Sequence, residues 1–96
     1  MKRILNLYES EIIKRKESRS GVALNPEDLT VEYKILFPRI TLCIIHNSRT
    51  GAGYFGGTMR SKHDKDDKLV GRIIAFVRAI NEIITQRLNE ANILSA

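Results

Sequence analysis

An apolar run from Ile40 to His46 limits the folds open to this chain more than any other segment does. Its residues, Ile-Thr-Leu-Cys-Ile-Ile-His, are rich in β-branched side chains and almost all apolar, which is typical of a strand covered on both faces. We therefore predict that these residues form the central strand of a small sheet.

The segment before this run also has the pattern of a strand. Apolar side chains recur at every second position from Val31 to Phe37, and Pro38 prevents the strand from continuing. Residues 25–28, Asn-Pro-Glu-Asp, would equally suit the start of a helix. The sequence therefore favours a strand over residues 26–36 and leaves a helix open as the alternative.

A turn and another strand follow the central run. Asn47 to Gly51 has the composition of a turn, and Ala52 to Arg60 predicts a strand that pairs with the central one. Gly53, Gly56 and Gly57 weaken this strand. They indicate either a bulge or a backbone that a ligand approaches closely.

The same glycines raise the question of nucleotide binding. Residues 51–56 fit the letters GxGxxG, but no helix opens directly after them, as a dinucleotide-binding fold would require. A bare backbone could still admit a phosphate or a nucleobase. Tyr54 or Phe55 would then supply a stacking face.

Two helices flank the predicted strands. Residues 3–18 place apolar side chains at helical spacing, and Gly21 ends that helix. A long helix is predicted from about Asp67 to Ile93. Its expected core stripe consists of Leu69, Ile73, Val77, Ile80, Ile84, Leu88 and Ala91.

The long helix is apolar beyond this stripe. Ile74, Phe76 and Ile83 widen its apolar surface past what one sheet would cover, so we predict a homo-oligomer with this helix at the interface, a dimer or a larger assembly such as a hexamer. The element order predicts an α+β fold with an N-terminal helix, an antiparallel sheet of two to three strands and a long C-terminal helix packed on it. Residues 1–96 are predicted to form a single domain.

The overall charge favours an anionic partner. Lys and Arg number 16 against 11 Asp and Glu, which gives a formal charge of +5 and a pI near 9.7. A hydrophobic share of 43% is too high for a disordered tail. The single cysteine, Cys43, fits a buried thiol in a reducing compartment, and no apolar segment approaches the ~20 residues that cross a bilayer. We therefore expect a cytoplasmic protein with no membrane partner.

The sequence contains no recognisable catalytic or metal-binding motif. No serine, cysteine or carboxylate lies in a nucleophile motif. His46 and His63 are far apart, and the acidic residues near His63 match neither a calcium loop nor a zinc helix. Residues 61–68 have the composition of an exposed loop. We therefore expect no enzymatic activity, no metal ion and no cofactor.

Two arginines near the start of the long helix are the strongest candidates for ligand binding. Arg72 and Arg78 would lie close to the glycine-rich strand if the helix packs back on the sheet. A guanidinium can hold a phosphate with two parallel hydrogen bonds, and a helix N-terminus adds N–H donors and partial positive charge. The alternative is a solvated helix face, or salt bridges to Glu82 and Asp67.

The stretch from Pro38 to Ile80 resembles a group of small phage proteins. These proteins share a strand that begins Pro-Arg-Ile/Val-Thr, a glycine-containing partner strand, a loop of mixed charge and a helix that opens Gly-Arg-x-x-Ala-x-x-Arg-Ala. The matching segments here are Pro38 to Thr41, Ala52 to Met59, His63 to Lys68 and Gly71 to Ala79. The stretch is similar to the anti-Thoeris sponges, phage anti-defence proteins that sequester the cyclic ADP-ribose-type signal of bacterial immunity.

The resemblance implies a function and a set of site residues. Proteins of this group capture a cyclic nucleotide tightly and without hydrolysis, in pockets between subunits, in the cytoplasm of the host cell. Arginines hold the phosphates and an aromatic side chain packs on the base. The site residues implied are Arg72 and Arg78 for phosphate, Tyr54 or Phe55 for stacking, and Arg39 or Arg60 as supporting charge.

Two other functions remain open. One is a module that binds double-stranded RNA or DNA. A basic domain with the order helix, three strands, helix also describes double-stranded RNA binding modules, although the segment from Lys68 to Arg72 lacks their lysine cluster. The wide apolar face of the long helix would also suit a protein that binds and inhibits a host nucleic-acid enzyme.

Overall fold

An antiparallel sheet with two helices on one face makes up the α+β fold of this chain, as seen in a computed structural model. The structure describes residues 2–36, 39–59 and 68–95. In chain order the elements are β1 (Arg3–Ile4), α1 (Leu7–Ser20), a 3-10 turn (Pro26–Asp28), β2 (Leu29–Leu36), β3 (Ile40–Asn47), β4 (Gly53–Met59) and α2 (Lys68–Ser95).

The sheet has four strands in the order β1-β2-β3-β4, where the sequence predicts two to three. The additional strand is β1, which pairs with Thr30 and Val31 of β2. Two residues are too few to show an alternating pattern, so no sequence signal marks them. Residues 26–36 combine both alternatives, because the 3-10 turn precedes the strand that begins at Leu29.

Capping residues set both ends of α1. The helix begins later than predicted because Asn6 is extended (φ −83°, ψ 176°) and its side chain accepts a hydrogen bond from the Glu9 N–H. At the other end Gly21 has φ 72°, a left-handed conformation, and its N–H donates to the Glu17 carbonyl oxygen at 2.9 Å. The predicted stop at Gly21 is therefore confirmed.

Both helices lie on one face of the sheet, which we call the inner face. Val31, Cys43 and Ile45 point into it and are fully buried. Burial raises the pKa of the Cys43 thiol to about 12, so the thiol stays protonated and unreactive at neutral pH. The core consists of Ile13, Leu24, Leu29, Val31, Cys43, Ile45, Ala75, Phe76, Ala79, Ile80 and Ile83.

The face of α2 that meets the sheet differs from the predicted stripe. Leu69 and Leu88 of that stripe are 64% and 47% exposed. At about 100° per residue, the observed contact is rotated by roughly a quarter turn from the predicted one. The oligomer inferred from the stripe stays a prediction. The residues that α2 buries are Ala75, Phe76, Ala79, Ile80 and Ile83.

Small residues explain this rotation. Gly56 of β4 lies directly against the α2 backbone, where a Cβ would overlap the Ala75 carbonyl oxygen and the Ala79 nitrogen. A Cβ on Gly71, one turn earlier, would lie 3.1 Å from the Thr41 Oγ1. The sequence predicts a bulge in the glycine-rich strand or close approach by a ligand. The register of β4 with β3 runs from Gly53 to Met59 without a bulge, and the backbone that lies against Gly56 is that of α2.

The opposite side of the sheet, which we call the outer face, has neither α1 nor α2 packed on it. Its side chains form four rows across β2, β3 and β4. Phe55 and Met59 on this face are 54% and 71% exposed. α1 and α2 therefore cover the inner face of β3 and do not pack on its outer face. The rows are Thr30–His46–Gly53, Glu32–Ile44–Phe55, Lys34–Leu42–Gly57 and Leu36–Ile40–Met59.

α2 is longer than the strands beneath it. Its 28 residues span about 42 Å, whereas the 8 residues of β3 span about 26 Å. Its C-terminal part therefore projects beyond the sheet, and Leu88 to Asn92 are exposed. Among the described residues, neither helix combines the length and the apolar character needed to cross a membrane.

Candidate functional site

A buried carboxylate, Glu9, ties together β1, α1 and β2. Asn6 and Glu9 form a capping box: the Asn6 Oδ1 accepts from the Glu9 N–H at 2.8 Å, and the Glu9 Oε1 accepts from the Asn6 N–H at 3.0 Å. Arg3 donates to both carboxylate oxygens at 2.7 and 3.0 Å. The Tyr33 hydroxyl donates to Glu9 Oε2 at 2.6 Å. The buried charge is therefore fully hydrogen-bonded.

These hydrogen bonds fix the charge states of the cluster. Burial alone would raise the pKa of the Glu9 carboxyl, but the bonds from Arg3, Tyr33 and the Asn6 amide outweigh it, so this pKa lies below its ordinary value. Burial and the bond to Glu9 raise the pKa of the Tyr33 hydroxyl, and the same carboxylate raises the pKa of Arg3. At neutral pH the cluster holds one anion, one cation and one neutral phenol.

Arg72, in the second turn of α2, adds a positive charge beside this cluster. Its guanidinium carbon lies 5.5 Å from the centroid of the Tyr33 ring, and that of Arg3 lies 5.7 Å from the same centroid. Within the part of the chain that the structure describes, no carboxylate comes within 4.0 Å of Arg72. The Glu9 carboxylate is already paired with Arg3. No described carboxylate is therefore left to balance the charge of Arg72.

A cleft between α1 and α2 opens next to Arg72. Its inner end is a cavity of about 80 Å³, lined by Arg3, Tyr33 and Arg72 among others. The cavity adjoins a groove of about 470 Å³, since three residues, Tyr8 among them, line both. We call the two together the α1/α2 cleft. Its groove alone falls in the range of roughly 300–1,000 Å³ that is usual for small-molecule sites.

The outer part of the α1/α2 cleft is aromatic and apolar. Tyr8 is 59% exposed there, and Leu7 beside it is also exposed. α2 supplies an isoleucine and a valine to the opposite wall. The cleft thus runs from a positive inner end at Arg72 to an apolar outer part. Its rim carries one acid and one base, Glu11 and Arg15.

Arg78 lies away from this cleft, at the open edge of β4. Its guanidinium donates to the Gly57 carbonyl oxygen at 2.7 Å, and Glu82, one turn later, accepts from the Phe55 N–H at 3.1 Å. Both backbone groups point away from β3, on the side where no further strand pairs in the described sheet. Arg78 therefore contacts the glycine-rich strand through a carbonyl oxygen and is separated from Arg72.

The other predicted site residues also lie apart from the cleft. Tyr54 is on the inner face and packs against the core, whereas Phe55 is on the outer face. Arg39 immediately precedes β3 and is partly exposed. Arg60 lies outside the described residues, as does His63 with the acidic residues beside it. Of the predicted residues that the structure describes, Arg72 alone lines the cleft.

Sequence reasoning missed the residues that surround Arg72: Arg3, Tyr8, Glu9 and Tyr33. The spacing Asn6-x-x-Glu9 is a capping-box signature, and it could have located the start of α1. The pairing of Arg3 with Glu9 has no comparable signal, because it depends on the position that β1 takes beside β2.

The described residues offer no metal-binding set, since no three His, Cys, Asp or Glu side chains among them are grouped to hold an ion. A scan against protein-family models, a search of curated proteins and a search of solved structures each give no match to this chain. What the cleft can bind must therefore be inferred from its own side chains.

Proposed function

We propose that this protein is a phage anti-defence protein that binds a cyclic nucleotide immune signal in the α1/α2 cleft and sequesters it without hydrolysis. The ligand class is a cyclic ADP-ribose-like molecule or a cyclic oligonucleotide. One observation carries the proposal. Arg72, whose charge no described carboxylate balances, lies at the inner end of a cleft whose outer part is aromatic and apolar.

The two ends of the cleft match the two chemical parts of a nucleotide. A guanidinium binds phosphate oxygens through charge-assisted, paired hydrogen bonds. Contact with the Tyr33 ring restrains Arg72 before any ligand arrives, so binding costs less side-chain entropy. Tyr8 presents an exposed ring on which a base can stack. Capture without chemistry requires affinity of this kind and no catalytic group.

Arg3 can supplement Arg72. Its guanidinium has five N–H groups, and three hydrogen bonds engage it with Glu9 and the Ile4 carbonyl oxygen. The N–H groups that remain are free to reach a phosphate held by Arg72. Glu9 thus serves to position Arg3 and does not contact the ligand in this proposal.

Isothermal titration calorimetry with cyclic ADP-ribose isomers and cyclic dinucleotides tests the proposal. Arg72→Ala should abolish measurable binding, and Arg72→Lys should weaken it, because lysine keeps the charge and loses the planar fork. Arg78→Ala removes the same charge from the same helix outside the cleft, so it should bind like the wild type. Ligand released by denaturing the complex should have an unchanged mass, as expected of sequestration.

Two outcomes would contradict this assignment. The first is a wild-type protein that binds none of the cyclic nucleotides. The second is an Arg72→Ala variant that retains the wild-type affinity for a ligand the wild type binds.

Double-stranded RNA binding is the second candidate, and the topology favours it. The part of the fold from α1 to α2, a helix, a three-stranded meander and a second helix on the same face, resembles double-stranded RNA binding modules, and β1 is an addition to that arrangement. Fold alone does not decide function. A gel shift with an RNA duplex, with affinity that falls steeply as salt rises, would favour this candidate over the sponge.

A further inference from the structure

We propose that a second copy of this chain covers the outer face of the sheet, so that the protein is a face-to-face dimer. The outer face carries apolar side chains on all three long strands, and Leu36, Phe55 and Met59 are among the large exposed ones. Soluble monomers seldom leave a contiguous apolar surface of this kind uncovered.

The charges on the outer face favour a copy of the same chain as the occupant. Lys34 and Glu32 point to this face from adjacent rows of β2. A two-fold axis lying between the two sheets, perpendicular to the strands and midway between these rows, places Lys34 of one copy against Glu32 of the other. Glu32 already has partners within its own chain, including the His46 Nε2 at 3.9 Å, so Lys34 of the other copy joins an existing set of contacts. Each copy then presents both a positive and a negative partner, as an isologous interface requires.

The shapes of the side chains follow the same symmetry. The axis that pairs Lys34 with Glu32 also sets Phe55 against Gly57 of the other copy, because these residues share the same two rows on β4. In the next rows outward, Met59 faces Gly53 in the same way. The two most protruding side chains of β4 thus each meet a residue with no side chain, which allows the sheets to approach to the usual ~10 Å.

The size of the contact indicates a weak dimer. Four rows across three strands cover about 20 Å by about 14 Å, so joining two such faces buries roughly 600 Å², below the standard size of a specific interface. We expect a dissociation constant on the order of 100 micromolar. Both α1/α2 clefts face away from the interface, so dimer formation leaves ligand binding unobstructed.

Sedimentation velocity over a range of protein concentrations, without ligand, tests the proposal. The wild type should shift from the 10.9 kDa chain to twice that mass as concentration rises. Gly57→Leu should weaken dimerisation at least tenfold, because the added side chain meets Phe55 of the other copy. Within one chain a Cβ at Gly57 meets atoms no closer than 3.7 Å, so the monomer has room for the start of this side chain.

A charge exchange tests the register independently of Gly57. Lys34→Glu should weaken the dimer at least tenfold by opposing two carboxylates, and adding Glu32→Lys in the same chain should restore it. Lys14→Glu makes the same charge change on the exposed side of α1 and should leave the dimer unchanged.

The proposal fails if the wild type stays at the mass of one chain at every concentration. It also fails if Lys34→Glu and the folded Gly57→Leu variant dimerise normally, or if the double exchange does not restore association. Loss of the dimer in Leu88→Glu with no effect of the sheet variants would place the interface on α2 instead. None of these outcomes depends on whether Arg72 binds a nucleotide.

Discussion

The inner and outer faces of one sheet show two ways to bury the same kind of strand. On the inner face, Phe76 and the small residues of α2 close over β3 and β4. On the outer face, alternate residues of those strands are equally apolar, yet neither helix packs there. An apolar run such as Ile40 to His46 therefore predicts burial on both sides without specifying which molecule provides it.

Two phenylalanines measure the difference between the faces most directly. Phe76→Ala should lower the free energy of unfolding by about 3–5 kcal/mol, because its fully buried ring leaves a cavity. Phe55→Ala should lower it by less than about 1 kcal/mol in the monomer, because its ring is half exposed. Urea denaturation, at protein concentrations well below the midpoint of dimerisation, gives both free energies. Equal losses under those conditions would mean that the outer face belongs to the intramolecular core.

Two glycines on β4 repeat the comparison for the backbone. Gly56→Ala should cost about 2–3 kcal/mol, because its Cβ would overlap backbone atoms of α2 that have to shift. Gly53→Ala, on the outer face, has no atom within 4 Å of its Cβ and should change stability by no more than about 0.5 kcal/mol. Thermal unfolding followed by circular dichroism compares them. A neutral Gly56→Ala would show that α2 does not sit as close to β4 as described.

These glycines also show which parts of the fold the sequence can predict. Strand spacing and the stop at Gly21 are local signals, so the order of α1, β2, β3, β4 and α2 follows from them, whereas β1 does not. The rotation of α2 is not local. Its widest apolar stripe passes through Ile73 and Ile84, but the sheet takes the neighbouring face, because Gly56 and Ala75 let two backbones meet. A prediction from hydrophobicity alone does not include the closer packing that these small residues allow.

The candidate site divides in the same way. Arg72 is predictable, because an arginine near a helix start suits an anion wherever the helix lies. Its neighbours Arg3 and Tyr33 come together only through the pairing of β1 with β2, which joins segments far apart in sequence. Sequence patterns therefore name the residue that carries the charge and miss the residues that shape the cavity around it.

The buried charge on the inner face gives a smaller predicted effect than Phe76 or Gly56. Glu9→Gln should lower the free energy of unfolding at pH 7 by about 1–2 kcal/mol, because its bonds to Arg3 and Tyr33 lose their charge assistance. The exposed Glu11→Gln on the same helix should have little effect. Urea titrations from pH 7 to pH 3 measure both.

The pH dependence has a definite sign. The pKa of Glu9 in the folded chain lies below its ordinary value of 4.5, so its contribution is complete above pH 4.5 and is lost as pH falls through the folded-state pKa. The gap in stability between wild type and Glu9→Gln should therefore narrow at acid pH. A gap that stays constant from pH 7 to pH 3 would show that the Glu9 charge contributes nothing.

The bonds from Arg78 and Glu82 to β4 also affect whether another chain can pair with the open edge of this strand. Sheets grow into fibrils when further chains add to an outer strand, and such growth needs unoccupied N–H and C=O groups along that strand. Here the helix of the same chain already holds the Phe55 N–H and the Gly57 carbonyl oxygen. These two bonds hinder lateral addition of another chain at this part of β4.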